Sequence, residues 1–286
     1  MQDQFVFSDE REKERLSVQS ALLWEYEKPV FAHFFDKGSE LSVLDIGCNN
    51  GSKTVKAFSS CSVSKVIGLE YDKGLADDAQ KRYGNERFAF YQADVESSDI
   101  DEKMERFMTE HGVKSFDLIY LSFVLMHLKD AEKVLCSLAR LLSPNGRLII
   151  VEANDKASYI LPDEAGMLGG FLEILKKDKY SGNRELGAEL SDMLVSCGYD
   201  DITVWSEEIF ADKTNKEKKR AIFETFFSYL PEDVSLLLAE EEDNAEYIAW
   251  YKWLEENFEK LKELILSENT DISMGIKILS CKRGAI

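Results

Sequence analysis

From Leu41 to about Ser206 the chain alternates short β-branched runs with stretches of helical periodicity. The runs "SVLDIG" (42–47), "SKVIGLEY" (64–71), "FAFYQAD" (88–94), "FDLIYLS" (116–122), "RLIIVEA" (147–153) and "ITVWSEE" (202–208) are rich in Val, Ile, Leu and Tyr. Most have Gly, Asp, Glu or Ser at or near the end, and each predicts a strand. In "DAEKVLCSLARLLSPNG", Val134, Leu135, Leu138, Leu141 and Leu142 recur at helical spacing, and Ser143-Pro144-Asn145-Gly146 predicts where that helix stops. Strands alternating with helices imply a mostly parallel sheet covered on both faces, an α/β fold of Rossmann-like type. Such a sheet takes ligands beyond the C-terminal ends of its strands.

The flanks are different. "EREKERLSVQSALLWEYEKPVFAHFF" predicts one or two helices before the first strand. After Ser206, Ile222, Phe223, Phe226, Phe227 and Leu230 share one helical face. Beyond Pro231, Tyr247, Tyr251, Leu254, Phe258, Leu261 and Ile265 share another, and Trp250 and Trp253 fall off that stripe as lid or interface candidates. "DISMGIKILSCKR" then returns to strand character. The expected organisation is an N-terminal helical segment (1–40), a sheet domain (41–206 with 271–286) and a helical insertion or lid (207–270).

Composition narrows the class. The formal charge of −19 repels phosphate backbones and argues against a nucleic-acid partner. The one dense basic run, "KTNKEKKR" (213–220), is expected to be a solvated helix face. No apolar run is long enough for a membrane span, and the opening residues lack the apolar stretch of a signal peptide. The five cysteines, Cys48, Cys61, Cys136, Cys197 and Cys281, are scattered and form no C-x-x-C pair. Neither a disulfide framework nor a metal site is expected from them, and the cytoplasm is the expected compartment.

The candidate chemistry lies at the strand ends. Asp45 and Gly47 end the first strand and Gly51 opens the next segment, where glycine lets the backbone approach a ligand. Glu70 ends the second strand, placed to accept both hydroxyls of a ribose. Asp94, beside Val95, ends the third and suits an adenine amino group and its ring face.

Taken in order, "VLDIGCNNG", "VIGLEYD", "YQADV", "FDLIYLSFVLMHL" and "LLSPNGRLIIVE" resemble the motif series of the class I S-adenosylmethionine-dependent methyltransferases. The resemblance is strong over residues 40 to 155. It continues through "LSDMLVSCGYDDITVW" to "SMGIKILSCKR", which is similar to that family's seventh strand, inserted antiparallel beside the fifth. It implies a seven-stranded sheet and S-adenosylmethionine as cofactor. Gly47 and Gly51 would line its methionine part, with Asp45 beneath the loop. Glu70 would hold the ribose, Tyr71 would pack on the adenine, and Asp94 and Val95 would contact it. Leu121 and Ser122 would lie near the sulfonium, and Arg15 on the first helix would pair with the methionine carboxylate. Asn49 stands where the family commonly has glycine; Asn tolerates left-handed backbone angles, so the turn can survive.

His127 in "LMHL" has two readings, a base that takes the acceptor's proton and a helix residue packed on the sheet. His33 and His111 are expected to be structural or solvent-facing. The expected activity is transfer of the sulfonium methyl to a small-molecule acceptor. Residues 154–185 and the helical insertion would build the acceptor pocket, with Gly166, Gly169 and Gly170 as hinges. A nicotinamide oxidoreductase fits less well, because Gly47-Cys48-Asn49 breaks the G-x-G spacing. A cofactor-binding protein without catalysis stays open at this point.

Overall fold

A computed structural model describes residues 10–35 and 40–284. Its sheet contains β1 (Leu41–Ile46), β2 (Val63–Glu70), β3 (Phe88–Gln92), β4 (Phe116–Ser122), β5 (Leu142–Ala153), β6 (Tyr159–Leu161), β7 (Tyr199–Ala211) and β8 (Asp271–Arg283). The order is β3-β2-β1-β4-β5-β8-β6, with β7 also on β8. Strands β1 to β5 pair in parallel, and β8 runs antiparallel to β5.

Among the described residues the sheet has eight strands where seven were expected. Strand β5 pairs with β8 up to Ala153↔Ile276, and β6 resumes the same edge at Tyr159↔Ser273. Between them a single 3-10 turn, Asp155–Ala157, bulges out. Gly275 makes room for it, since a Cβ there would be driven into the Asn154 carbonyl and the Ala157 methyl. Strand β7 covers the other edge of β8, reaching Ala211↔Ile272.

Side chains alternate across the sheet. Leu44, Ile46, Ile67, Leu69, Ile119, Leu121, Leu148 and Ile150 face one core, covered by α4 (Ile100–Glu110), α5 (Ala131–Leu138) and α7 (Leu186–Ser196). Val43, Val66, Leu118, Tyr120, Ile149 and Val151 face the other. That core is covered by α1 (Glu10–Phe35), α2 (Ser52–Phe58), α3 (Lys73–Tyr83), α6 (Met167–Leu175), α8 (Lys216–Phe226), α9 (Leu230–Glu240) and α10 (Ala245–Leu266). The helix before β5 stops at Leu138, ahead of the Ser-Pro-Asn-Gly signal, because Leu142 already pairs with Phe116.

Three helices follow β7, not two. Ile222, Phe223, Phe226, Phe227 and Leu230 are all buried, as their spacing predicts. On α10 the buried stripe is rotated from the expected one: Trp250 is buried beside Tyr247, while Tyr251 is 37% exposed. Trp253 is partly buried against the core, where a Cβ on Gly170 would come within 2.6 Å of its ring. Trp250 and Trp253 are therefore packing residues, and Gly170 serves close helix contact.

Two composition-based expectations also give way to packing. Lys219, in the basic run, is fully buried, with Nζ donating to Ser267 O at 2.6 Å and to Thr270 O. It caps the end of α10, whose last carbonyls need donors. Cys136 on α5 and Cys197 at the end of α7 form a disulfide, contrary to expectation. Their 61-residue separation carries no pairing signal; the side-by-side packing of α5 and α7 creates it. The scattered cysteines thus lose their value as a sign of a reducing compartment. Among the described residues no helix is long and apolar enough to cross a membrane.

Candidate functional site

Strand β1 ends in a loop that hangs from β2. The N–H groups of Gly47 and Cys48 both donate to Leu69 O, at 2.8 and 3.0 Å. The backbone then turns through left-handed angles at Gly47 (φ 71°), Asn49 (φ 50°) and Gly51 (φ 75°). Neither glycine has room for a side chain. A Cβ on Gly47 would strike Val124, and one on Gly51 would lie 2.9 Å from the Phe90 ring and 3.0 Å from Ala79. Asn49 needs no such clearance. Its side-chain Oδ1 accepts from the Asn50 N–H at 2.7 Å, which holds the turn locally.

Glu70 ties this loop to the next strand end. Its Oε2 accepts the Asn49 N–H at 2.8 Å and its Oε1 the Asp72 N–H at 3.0 Å. Burial raises its pKa against the pull of these bonds. Below the loop, Asp45 is buried and accepts from Thr54 Oγ1 at 2.5 Å, and burial pushes it up to about 7. Cys48 is buried and its thiol is pushed up by burial, so it is no nucleophile. At the third strand end, Asp94 accepts from the Glu96 N–H at 2.9 Å, and Val95 is packed partly against the adjoining core. Tyr71 is 53% exposed. Leu121 is fully buried in the core, so only its backbone reaches the strand end.

Beside Ser122 lies a polar group that the sequence reading missed. Glu27 on α1 is fully buried; its Oε1 accepts from Lys53 Nζ at 2.9 Å, Tyr120 OH at 2.7 Å and Ser122 Oγ at 3.4 Å. Lys53 also donates to Ser122 Oγ at 2.9 Å. Glu27 was detectable in principle, as an acid spaced helically among the buried Leu23, Val30 and Phe31. Glu152, at the end of β5, was also missed. Its Oε1 accepts the N–H groups of Val124 and Leu125 at 3.0 and 2.7 Å, fixing the chain after β4. Burial pushes it up to about 8.

Arg15 does not stand ready for a ligand carboxylate. Its Nε and NH2 donate to Glu12 at 2.6 Å each, and NH1 donates to Thr225 O at 2.8 Å. Glu12 lies three residues away on the same helical face, so the pair closes locally. The guanidinium also lies over the Tyr229 ring. Next to it, Arg184 holds the Asp155 carboxylate with two bonds of 2.6 and 3.0 Å and donates to Tyr229 OH at 3.1 Å.

His127 sits near this ion-pair layer, in a one-turn 3-10 helix, Leu125–His127. It is not packed against the sheet but exposed. The protein mass around it, then Arg184 and Arg15, push the imidazole down to about 4. The other histidines lie away from the strand ends, His33 against Trp205 and His111 on Tyr91 OH.

The loop, Glu70, Asp94 and Ser122 therefore lie together at the C-terminal ends of the parallel strands β1 to β4. The acceptor set fits the expected cofactor. Glu70 keeps accepting capacity beside its bonds from the Asn49 and Asp72 N–H groups, and Glu27 Oε2 is a buried oxygen without a hydrogen-bond partner among the described residues.

A protein family described as a methyltransferase domain matches residues 44–150. The chain is 28% identical over 144 residues to an uncharacterized methyltransferase of Schizosaccharomyces pombe, covering 47% of this chain and 48% of that one. It is 25% identical over 174 residues to a demethylmenaquinone methyltransferase of Lactobacillus johnsonii, covering 56% and 68%. In fold it is similar to Haemonchus contortus phosphoethanolamine N-methyltransferase 2, solved with S-adenosyl-L-methionine. There the TM-score is 0.55 and the identity 15%, over 98% of this chain and 60% of that one. The chain spans about half to two thirds of the length of the curated relatives it matches. Residues 44–150 thus resemble a methyltransferase domain, and the likeness of the chain is to the class I S-adenosylmethionine-dependent methyltransferases.

Proposed function

We propose that this protein transfers the sulfonium methyl of S-adenosylmethionine to a small-molecule acceptor by in-line displacement. The observation that carries the proposal is the tether between neighbouring strand ends: Glu70 accepts the Asn49 N–H of the loop that Gly47 and Gly51 hold open. The cofactor, when bound, supplies an activated methyl group on a good leaving group. The protein's part is then binding, orientation and exclusion of water.

In this proposal Gly47, Asn49 and Gly51 border the methionine part through their backbone, and Asp45 braces the loop through Thr54. Glu70 accepts the ribose hydroxyls on its remaining lone pairs. Tyr71, Asp94 and Val95 frame the adenine. Ser122, with the Leu121 backbone, faces the sulfonium. Residues 154–185 and the helices α8 to α10 form the acceptor side, braced by Arg184–Asp155 and Arg15–Glu12. His127 takes up a proton there only weakly, because the surrounding protein mass, and then Arg184 and Arg15, oppose the cation. That suits an acceptor that needs little help from a base, such as a neutral amine or an already acidic hydroxyl.

Calorimetry with S-adenosylhomocysteine, followed by methyl transfer from labelled S-adenosylmethionine to a panel of small amines, phenols and quinols, tests this. We expect saturable binding and one acceptor class labelled. A folded protein that does not bind the product cofactor would refute the proposal.

A further inference from the structure

Glu27 is an anomaly if it is only structural. It is fully buried on α1, and all its hydrogen bonds fall on one oxygen. Oε2 of the same carboxylate is enclosed and has no partner among the described residues. Buried polar atoms are nearly always paired, and an orphaned carboxylate oxygen calls for a donor. The donors on Oε1 place it. Lys53 lies in the first turn of α2, two residues after Gly51, and Ser122 ends β4. The carboxylate thus lies between the β1 loop and the β4 end, where the methionine part of the cofactor is proposed to rest.

Glu27 and Lys53 form a salt bridge yet keep hydrogen-bonding capacity at both ends. Lys53 Nζ uses two bonds, to Glu27 and Ser122, and keeps a third N–H; its side chain is 22% exposed. An orphaned anionic oxygen and a cation with a spare donor, side by side, complement a zwitterion. The amino-acid end of S-adenosylmethionine is one. Arg15, the residue the sequence suggested for its carboxylate, already donates from all three of its nitrogens to Glu12 and Thr225.

We infer that Glu27 and Lys53 receive the amino-acid end of the cofactor, Glu27 Oε2 accepting from the α-ammonium and Lys53 donating to the α-carboxylate. This rests on the cofactor reading above. It moves the contribution of α1 to the cofactor site from Arg15 to Glu27, a residue distant in sequence from every strand-end motif. Binding of the cofactor would also satisfy an oxygen that the fold leaves bare.

The test compares two probes by calorimetry: S-adenosylhomocysteine, and 5′-methylthioadenosine, which lacks the amino-acid end. Glu27→Gln keeps the side-chain shape but presents no full negative charge to an ammonium. It should weaken S-adenosylhomocysteine about 10- to 100-fold, the range of one charge-assisted hydrogen bond, and leave methylthioadenosine unchanged. Lys53→Met, at a partly exposed site, should show the same selectivity and decides the matter if Glu27→Gln does not fold. Equal losses on both probes, or no loss on either, overturn the inference while leaving the cofactor proposal standing. If the wild-type protein binds neither probe, the cofactor proposal falls and this inference falls with it.

Discussion

The backbone N–H of Asn49 donates to Glu70 Oε2 at 2.8 Å, so the loop residue that departs from glycine is joined to the acid proposed to hold the ribose. The bond uses the Asn49 backbone, not its side chain. That separates what asparagine does from what position 49 does.

Asn49→Gly should leave S-adenosylhomocysteine affinity within about twofold, and change stability by less than about 1 kcal/mol. Glycine accepts the φ of 50° and keeps the N–H that reaches Glu70. Glu70→Ala removes both the acceptors and the tether, and should weaken binding at least about tenfold. Calorimetry on the two variants checks this, and a large loss in Asn49→Gly would mean that the side chain itself meets the ligand.

Gly51→Ala should lower stability by about 2–4 kcal/mol. The φ of 75° is strained for alanine, and the new methyl would press on the Phe90 ring at 2.9 Å and on Ala79 at 3.0 Å. Urea unfolding reads the effect as a lower midpoint at unchanged slope. An unchanged midpoint would show that Phe90 can move aside.

The stability contributed by Glu152 and Asp45 should fall as pH rises from about 4.5 to 8. Burial holds Glu152 up to about 8 and Asp45 up to about 7 in the folded chain. A carboxyl raised in this way takes up protons on folding. Its contribution is complete below the unfolded value and is lost as pH climbs through the folded one. Glu152→Gln should flatten part of that decline, seen as a smaller melting-temperature difference between pH 5 and pH 8. Identical pH profiles would place Glu152 in its charged state throughout.

Reduction should destabilise the protein through the Cys136–Cys197 bridge, which closes a long loop between α5 and α7. Cys136→Ser should cost about 2–4 kcal/mol in oxidising buffer and almost nothing in excess reductant. Denaturation curves in both buffers give the answer. Equal costs in the two would make the thiol's packing, not the bridge, responsible.

The sequence by itself determined the sheet, its parallel core and the strand-end series Asp45, Gly47, Gly51, Glu70 and Asp94. Those signals are local: a strand is written in period two, and its terminal acid or glycine comes directly after it in the chain. It also indicated the buried face of α8. What only the tertiary structure decided depends on pairs distant in sequence. The short β6 exists because Gly275 on another strand gives way to the turn before it. Lys219 is buried because the end of α10 needs its ammonium, and Cys136 meets Cys197 because two helices pack side by side. Arg15 was assigned from its position, yet its own neighbour Glu12 claims it. Glu27 stands in a helix 15 residues ahead of the first motif, and only the folding of α1 over β4 brings its carboxylate to Lys53 and Ser122. Periodicity records which face of an element is buried, whereas the partner that a buried charge finds there is set by the packing of the whole chain.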